Sequence, residues 1–240
     1  MKISLTAVAV LTLAQVIPSA AIAQSPDDAL LVGKKTILVP SPAGQFRLDG
    51  KSKKEDQLFG LKMPEGGELH WLSVYGSREA LAAVLADRAP ALDKDCARAA
   101  VPAGTEDLDV TAEMFLRTKE GMREGLKANL STMGADVSAD LMAHFKKKLG
   151  KNPEIQTNLV SLPFSHEQPQ SFIFTLLSKT NVELGGAKID ALTVNASCLL
   201  LVKRRLLCLG IVRPCKVTAD IEMAQSDVAA WAARVLAMNQ

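Results

Sequence analysis

The chain has 240 residues, of which 48% are hydrophobic and 22% are charged, and its formal net charge is +2. A chain of this length can bury roughly 70% of its unfolded surface, so its core does not depend on disulfides or metals. The near balance of acidic and basic residues argues against nucleic acid as a partner, because phosphate binding needs a basic face.

The first 23 residues have the pattern of a secretory signal peptide. Lys2 gives a short positive region, residues 4–16 are mainly apolar, and Ala21-Ile22-Ala23 forms a small-residue cleavage site. The apolar run is too short to span a bilayer stably, and a polar segment follows it at once. No cysteine lies at the cleavage point, which disfavours a lipoprotein. We expect a periplasmic or secreted protein with no integral membrane span after cleavage.

The cysteines are candidates for disulfide bonds, because export leads to an oxidising compartment. The sequence contains Cys96, Cys198, Cys208 and Cys215, which allow three complete pairings. A hairpin register centred on Lys203 would place Cys198 directly opposite Cys208, whereas a one-residue slip would separate them. The sequence therefore predicts Cys198 with Cys208 and Cys96 with Cys215. A local bridge from Cys208 to Cys215 is the alternative.

After the signal peptide, we predict a flexible segment at 24–34 and a single α+β domain at 35–240. The domain is expected to begin with strands at 36–39 and 45–48, joined as a hairpin by a proline-rich turn. A loop at 49–67, a strand at 69–75 and a helix capped by Ser77 should follow. The stretch at 88–110 leaves room for an inserted hairpin or loop.

A longer helical pattern begins at Thr111, with apolar residues such as Phe115 and Met122 on one stripe. Gly134 interrupts this pattern, and a second stretch continues to Leu149. The segment is therefore either one kinked helix or two helices in succession.

The C-terminal half is richer in strand signals. Strands are expected at 158–162, 171–177, 189–202 and 206–212, as neighbours in an antiparallel sheet, and a closing helix at 221–235. The predicted fold class is α+β, with an antiparallel sheet flanked by helices as an α/β/α sandwich. A C-terminal β-hairpin leads into the closing helix.

Motifs that would indicate catalysis are absent from the sequence. It contains no G-x-S-x-G nucleophile elbow, no H-E-x-x-H zinc site, no Cys-x-x-Cys and no glycine-rich phosphate loop. His166 and Glu167 begin like the zinc motif, but the second histidine is missing and Pro169 would break the helix. We therefore predict no catalytic residue, no metal site and no cofactor. The remaining functional candidates are His70, His166 and Trp71.

Two short patches resemble the Mog1/PsbP-like α/β/α sandwich. The first is the strand pair 199–213 around a basic turn, which ends in Arg213-Pro214 and is followed by Asp220, Trp231 and Asn239 on the last helix. The second is the turn Pro40-Ser41-Pro42-Ala43-Gly44 before Phe46, which is similar to the opening of exported bacterial members. This resemblance implies a binding or assembly role and transfers no functional residue.

The function expected from these observations is that of an exported, non-enzymatic binding or accessory factor with an envelope protein as its partner. One alternative is a hydrolase in which His70 or His166 meets a serine, a cysteine or a carboxylate in a pocket. Another is a carrier of a small apolar ligand, which requires a lined cavity between the helices and the sheet. No oligomeric state is predicted.

Overall fold

A computed structural model describes residues 28–51, 69–88, 95–149, 153–184 and 187–240. Its elements in chain order are β1 (Ala29–Val32), β2 (Lys35–Leu38), β3 (Phe46–Arg47), β4 (Leu69–Gly76), α1 (Arg78–Leu85), β5 (Cys96–Pro102), α2 (Ala112–Leu149), β6 (Glu154–Gln168), β7 (Ser171–Leu184), β8 (Ala187–Val202), β9 (Arg205–Pro214) and α3 (Thr218–Met238). The predicted signal peptide and most of the loop predicted at 49–67 lie outside these residues.

The main sheet has seven strands in the order β3-β4-β5-β9-β8-β7-β6, and every neighbouring pair is antiparallel. β1 and β2 form a separate antiparallel pair. The predicted α+β class with an antiparallel sheet is confirmed. Of the helices in the described ranges, none combines the length and the hydropathy needed to cross a membrane.

Each face of the sheet has its own hydrophobic cluster. On one face, α3 packs on β8 and β9, and β1 packs on β4. Trp231, Val228 and Leu209 are fully buried in the cluster on this face. On the opposite face, Phe115 at the start of α2 packs with Phe172 and its neighbours. Helices therefore lie on both sides of the sheet, as the prediction of an α/β/α sandwich required.

The long helical region is one continuous helix, α2, and not two. Gly134 does not break it; a Cβ at this position would lie 2.7 Å from the backbone oxygen of Thr157 on β6. The hydroxyl of Ser138 accepts a 2.8 Å hydrogen bond from the Thr157 N–H and donates one of 2.8 Å to the carbonyl of Gly134. The helix thus satisfies a backbone N–H of the edge strand β6, which would otherwise be open for pairing with another chain.

The predictions for the N-terminal strands were partly wrong. β1 lies within the segment predicted to be flexible, at 24–34, and it pairs with β2. The residues predicted to complete a hairpin with β2 instead form β3, which pairs with β4. β2 and β3 do not pair as a hairpin because α3 forms hydrogen bonds with the backbone of the segment between them. Trp231 Nε1 donates to the carbonyl of Pro40 at 2.6 Å, and Arg234 Nη2 donates to that of Ser41 at 3.0 Å.

The stretch at 88–110, in which the sequence left room for an inserted hairpin or loop, contains an inner strand of the sheet. β5 runs between β4 and β9. Its inward residues Ala97 and Ala99 are fully buried against the α3 side. Alanine is depleted in strands, so this run carries little strand signal even though it completes the sheet.

Candidate functional site

The predicted histidine candidates lie far apart. His70 is on β4 with a side chain 65% exposed, and its Nδ1 is 3.3 Å from Oε1 of Glu106. His166 is exposed near the end of β6, with φ of 49°. Five strand spacings separate β4 from β6, a distance of about 24 Å. His70 meets a carboxylate, as the hydrolase alternative required, but at an exposed position and outside the cavity described below. Within the described ranges, neither ring has a hydroxyl or thiol partner that could act as a nucleophile.

Trp71, the third candidate, contacts a cation. A β-bulge between Trp71 and Ser73 shifts the register of β4 against β5, so that Trp71 and Val74 lie on the same face of the sheet. Arg98 pairs with Val74 across the strands, and its guanidinium carbon lies 4.1 Å from the centroid of the indole ring. This is a cation–π contact between two half-buried side chains.

Arg98 has no carboxylate partner among the described residues. The group that interacts electrostatically with it there is the Cys96 thiol, two residues before it. Burial raises the pKa of Cys96, and the opposing effect of Arg98 is smaller, so the thiol stays neutral. Burial lowers the pKa of Arg98, but a guanidinium remains protonated in proteins. A positive charge is therefore held at the sheet, and no described residue provides an anion to balance it.

Two N–H donors at this contact are also unsatisfied. Trp71 Nε1 and Arg98 Nε are both buried and have no hydrogen-bond acceptor among the residues that the structure describes. A buried donor without an acceptor costs about 1–3 kcal/mol. Nε of Arg205 and of Arg213 is in the same state, so these donors alone do not distinguish the contact.

The neighbouring strands continue this surface with small and polar residues. In the register of the sheet, Arg98 on β5 is opposite Gly210 on β9, and Gly210 is opposite Ser197 on β8. The hydroxyl of Ser197 donates a 3.0 Å hydrogen bond to Oδ1 of Asn195. We call Trp71, Arg98, Asn195, Ser197 and Gly210 the Arg98 patch. It lies on the face between α1, which packs on β3 and β4, and α2, which packs mainly on β6.

Two buried arginines differ from the half-buried Arg98 in having aspartate partners. Arg213 Nη2 lies 2.8 Å from Oδ2 of Asp227 and 3.1 Å from Oδ2 of Asp95. Arg205, at the start of β9, forms an ion pair with Asp109. In the described part of the chain, these two arginines have the counter-ions expected of buried cations. Arg98 has no such counter-ion among the described residues, and we therefore treat its surroundings as a candidate binding site.

Sequence reasoning found Trp71 but missed its partner. Arg98 is the single charge in the run Cys96–Val101, which is otherwise small and apolar. An isolated charge in such a run is a usable signal once the run is recognised as a strand. The other members of the Arg98 patch come from β8 and β9, and only the fold brings them to it.

The predicted disulfides do not form, because the four cysteines are buried and free. The β8–β9 turn places Val202 opposite Arg205, and Lys203 and Arg204 both adopt positive φ. That register is the one-residue slip: Cys208 lies opposite Leu199 and belongs to the α2 side, whereas Cys198 packs on the α3 side. The two thiols are on opposite faces of the sheet.

The position of the side chains on the two faces also excludes the bridges from Cys215 to Cys96 and to Cys208. Cys215 packs in the cluster under α3. Cys96 lies on the Arg98 side, since it is two residues from Arg98 on the same strand. Cys208 also lies on that side. Neither Cys96 nor Cys208 therefore shares a face with Cys215.

A cavity of about 440 Å³ opens beside the β8–β9 turn. Its lining residues come from the start of α2, the β6–β7 turn and the β8–β9 hairpin: Val110, Thr111, Ala112, Gln170, Leu201, Lys203 and Arg204. Lys203 and Arg204 are cationic, but most of the exposed lining surface is apolar, so a small apolar ligand stays an alternative. Across the described ranges, no three metal-ligating side chains come together.

Comparisons of the chain with protein-family models, with curated proteins and with solved structures find no match. The two patches that resemble the Mog1/PsbP-like sandwich contact each other through Trp231 and Pro40. Asp220 accepts hydrogen bonds from the N–H groups of Lys216 and Val217 at the start of α3. Asn239 bonds both backbone groups of Leu38. These contacts give the matching residues roles in the fold.

Proposed function

We propose that the protein is an exported, non-enzymatic binding or accessory factor that uses the sheet face around the Arg98 patch to bind a partner protein of the envelope. The observation that supports this most directly is the uncompensated cation, because a half-buried arginine stacked on an aromatic ring is a frequent anchor in protein interfaces. A relationship to the Mog1/PsbP-like group is part of this proposal, since its known members mostly bind or assemble other proteins.

A photo-crosslinker placed beside the Arg98 patch tests the proposal. Benzoylphenylalanine in place of Val212 would project from the Arg98 face, because Val212 is half-buried and pairs with Cys96 and Asn195. The matched control is the same amino acid in place of Met223, which is 53% exposed on α3. In intact cells of the native host, we expect one discrete crosslinked product at position 212 and none at 223.

Adding Arg98→Gln should reduce the product at 212 by at least tenfold. A product that forms equally at both positions, or that is unaffected by Arg98→Gln, would refute a role for the Arg98 patch.

Export is tested separately, because the signal peptide is a sequence prediction. Fractionation of cells and N-terminal sequencing of the accumulated protein should give a soluble periplasmic or secreted chain that begins at Gln24. Replacing Ala23 with phenylalanine should block this cleavage, since the site requires a small residue. Recovery of the uncleaved chain from the cytoplasm would contradict the proposed location.

A further inference from the structure

We infer that the Arg98 patch binds one carboxylate group, carried by an aspartate or glutamate side chain of the partner protein. This inference rests on the function proposed above, and it adds the chemistry that recognises the partner.

The charge of the patch matches a single negative charge. Arg98 contributes one guanidinium, and the other members, Trp71, Asn195, Ser197 and Gly210, are neutral. A planar guanidinium matches a carboxylate with two parallel hydrogen bonds. A phosphate group carries nearly two charges at neutral pH and is usually bound by several cations, so the patch fits a carboxylate better.

The cation is also held in place before any ligand arrives. The guanidinium stacks on the Trp71 ring at 4.1 Å, and its Nε is buried. A side chain that is already fixed loses less conformational entropy on binding. Its partly buried position also strengthens the attraction for an anion, since the effective dielectric constant is lower there than in water.

Gly210 keeps the space beside Arg98 open. A Cβ at this position would lie 3.3 Å from Oγ of Ser197 and 3.7 Å from Oδ1 of Asn195. Because glycine has no Cβ, β9 places no side-chain atom between the guanidinium and the Ser197 hydroxyl. A carboxylate that approaches Arg98 from solvent would therefore meet no side chain at position 210 of β9.

The test follows the indole signal of Trp71 in ¹H–¹⁵N NMR spectra of the whole protein purified from an exporting host. The Trp71→Phe variant assigns this signal against that of Trp231. Three probes are titrated: a blocked Gly-Glu-Gly tripeptide, its Gly-Gln-Gly counterpart, and inorganic phosphate. We expect a saturable shift with the glutamate peptide, and binding at least tenfold weaker for the glutamine peptide and for phosphate.

Variants separate charge from general surface effects. Arg98→Gln should weaken binding of the glutamate peptide at least tenfold, whereas Arg117→Gln, which removes a charge 79% exposed on α2, should leave it unchanged. Gly210→Ala keeps the guanidinium but adds a methyl group beside it, so we expect binding of the glutamate peptide to weaken at least fivefold. It also tests the site if Arg98→Gln fails to fold.

The outcomes distinguish this inference from the function it rests on. Equal responses to the glutamate and glutamine peptides would overturn carboxylate recognition, and stronger binding of phosphate would assign the patch to a different anion. No response to any probe, together with an Arg98-dependent crosslink at position 212, would overturn the inference and leave the proposed function standing. A selective response to the glutamate peptide without a crosslink in cells would support the carboxylate site and refute the proposed function.

Discussion

The indole Nε1 of Trp231 donates a 2.6 Å hydrogen bond to the backbone carbonyl of Pro40, 191 residues earlier in the chain. Both residues are buried, and the Trp231 ring packs edge-on against Tyr75 with 5.3 Å between the ring centroids. This contact joins α3 to the segment after β2, so it holds the β1–β2 pair against the face of the sheet.

Replacing Trp231 with phenylalanine should lower the free energy of unfolding by about 2–4 kcal/mol, because the variant loses buried ring volume and leaves the Pro40 carbonyl without its donor. Urea denaturation followed by circular dichroism measures this loss. The control is Trp71→Phe, in which the lost N–H has no acceptor in the described part of the chain. We expect the control to cost less than about 1 kcal/mol; equal losses would show that the hydrogen bond to Pro40 contributes little.

Gly134→Ala should destabilise the protein, although alanine is the best helix former. Its Cβ would lie 2.7 Å from the backbone oxygen of Thr157, so α2 would have to move away from β6. We expect a loss of about 1–3 kcal/mol, the usual cost of overpacking. Gly121→Ala in the same helix is the control, because its Cβ would meet no atom within 4 Å.

The control variant should gain about 0.5–1 kcal/mol from helix propensity alone. Thermal and urea unfolding of both variants provide the comparison. If Gly134→Ala were as stable as Gly121→Ala, the close approach of α2 to β6 would be disproved.

Local sequence patterns predicted most of the elements but not how all of them pair. The alternation of apolar and polar residues before Cys198 marks β8 correctly, and Ser77 caps α1 as expected, with its hydroxyl 3.2 Å from the N–H of Ala80. The register of the last hairpin could not be read, because Lys203 and Arg204 adopt positive φ without being glycine or asparagine. A shift of one residue there was enough to invalidate the disulfide prediction.

The candidate site was harder to predict, because its residues come from four strands that are distant in sequence. Trp71 was a candidate, but the alanine-rich strand that carries Arg98 does not have a strand pattern. The separation of His70 from His166 likewise follows from the strand order, which places β4 and β6 near opposite edges of the sheet. Non-local pairing of this kind is decided by tertiary packing and leaves no local signal.

The structure predicts four free thiols even when the protein is made in an oxidising compartment. Burial raises the pKa of Cys208 to about 12 and also raises that of Cys198, so little reactive thiolate exists at neutral pH. In denaturant without prior reduction, four thiols should react with Ellman's reagent. In the native protein, the reaction should be at least tenfold slower. A disulfide-linked peptide in a non-reducing digest would contradict this result.

Acid should weaken a cluster that holds the β8–β9 turn to the start of α2. Hydrogen bonds from Lys35 and then Arg205 lower the pKa of Asp109 from 3.8 to about 2. Because the unfolded chain takes up this proton at a higher pH than the folded protein does, the stabilising effect is complete above about pH 4 and is lost as the pH falls towards 2.

Asp109→Asn removes this ionisation and therefore separates its contribution from that of the other carboxylates. Urea midpoints measured between pH 5 and about pH 2.5 should fall more steeply for the wild type than for Asp109→Asn, because only the wild type has this proton to take up. Asp190→Asn, at an exposed position on β8, serves as the control and should follow the wild-type slope. Parallel slopes for the wild type and Asp109→Asn would show that Lys35 and Arg205 do not stabilise the ionised carboxylate in the folded protein.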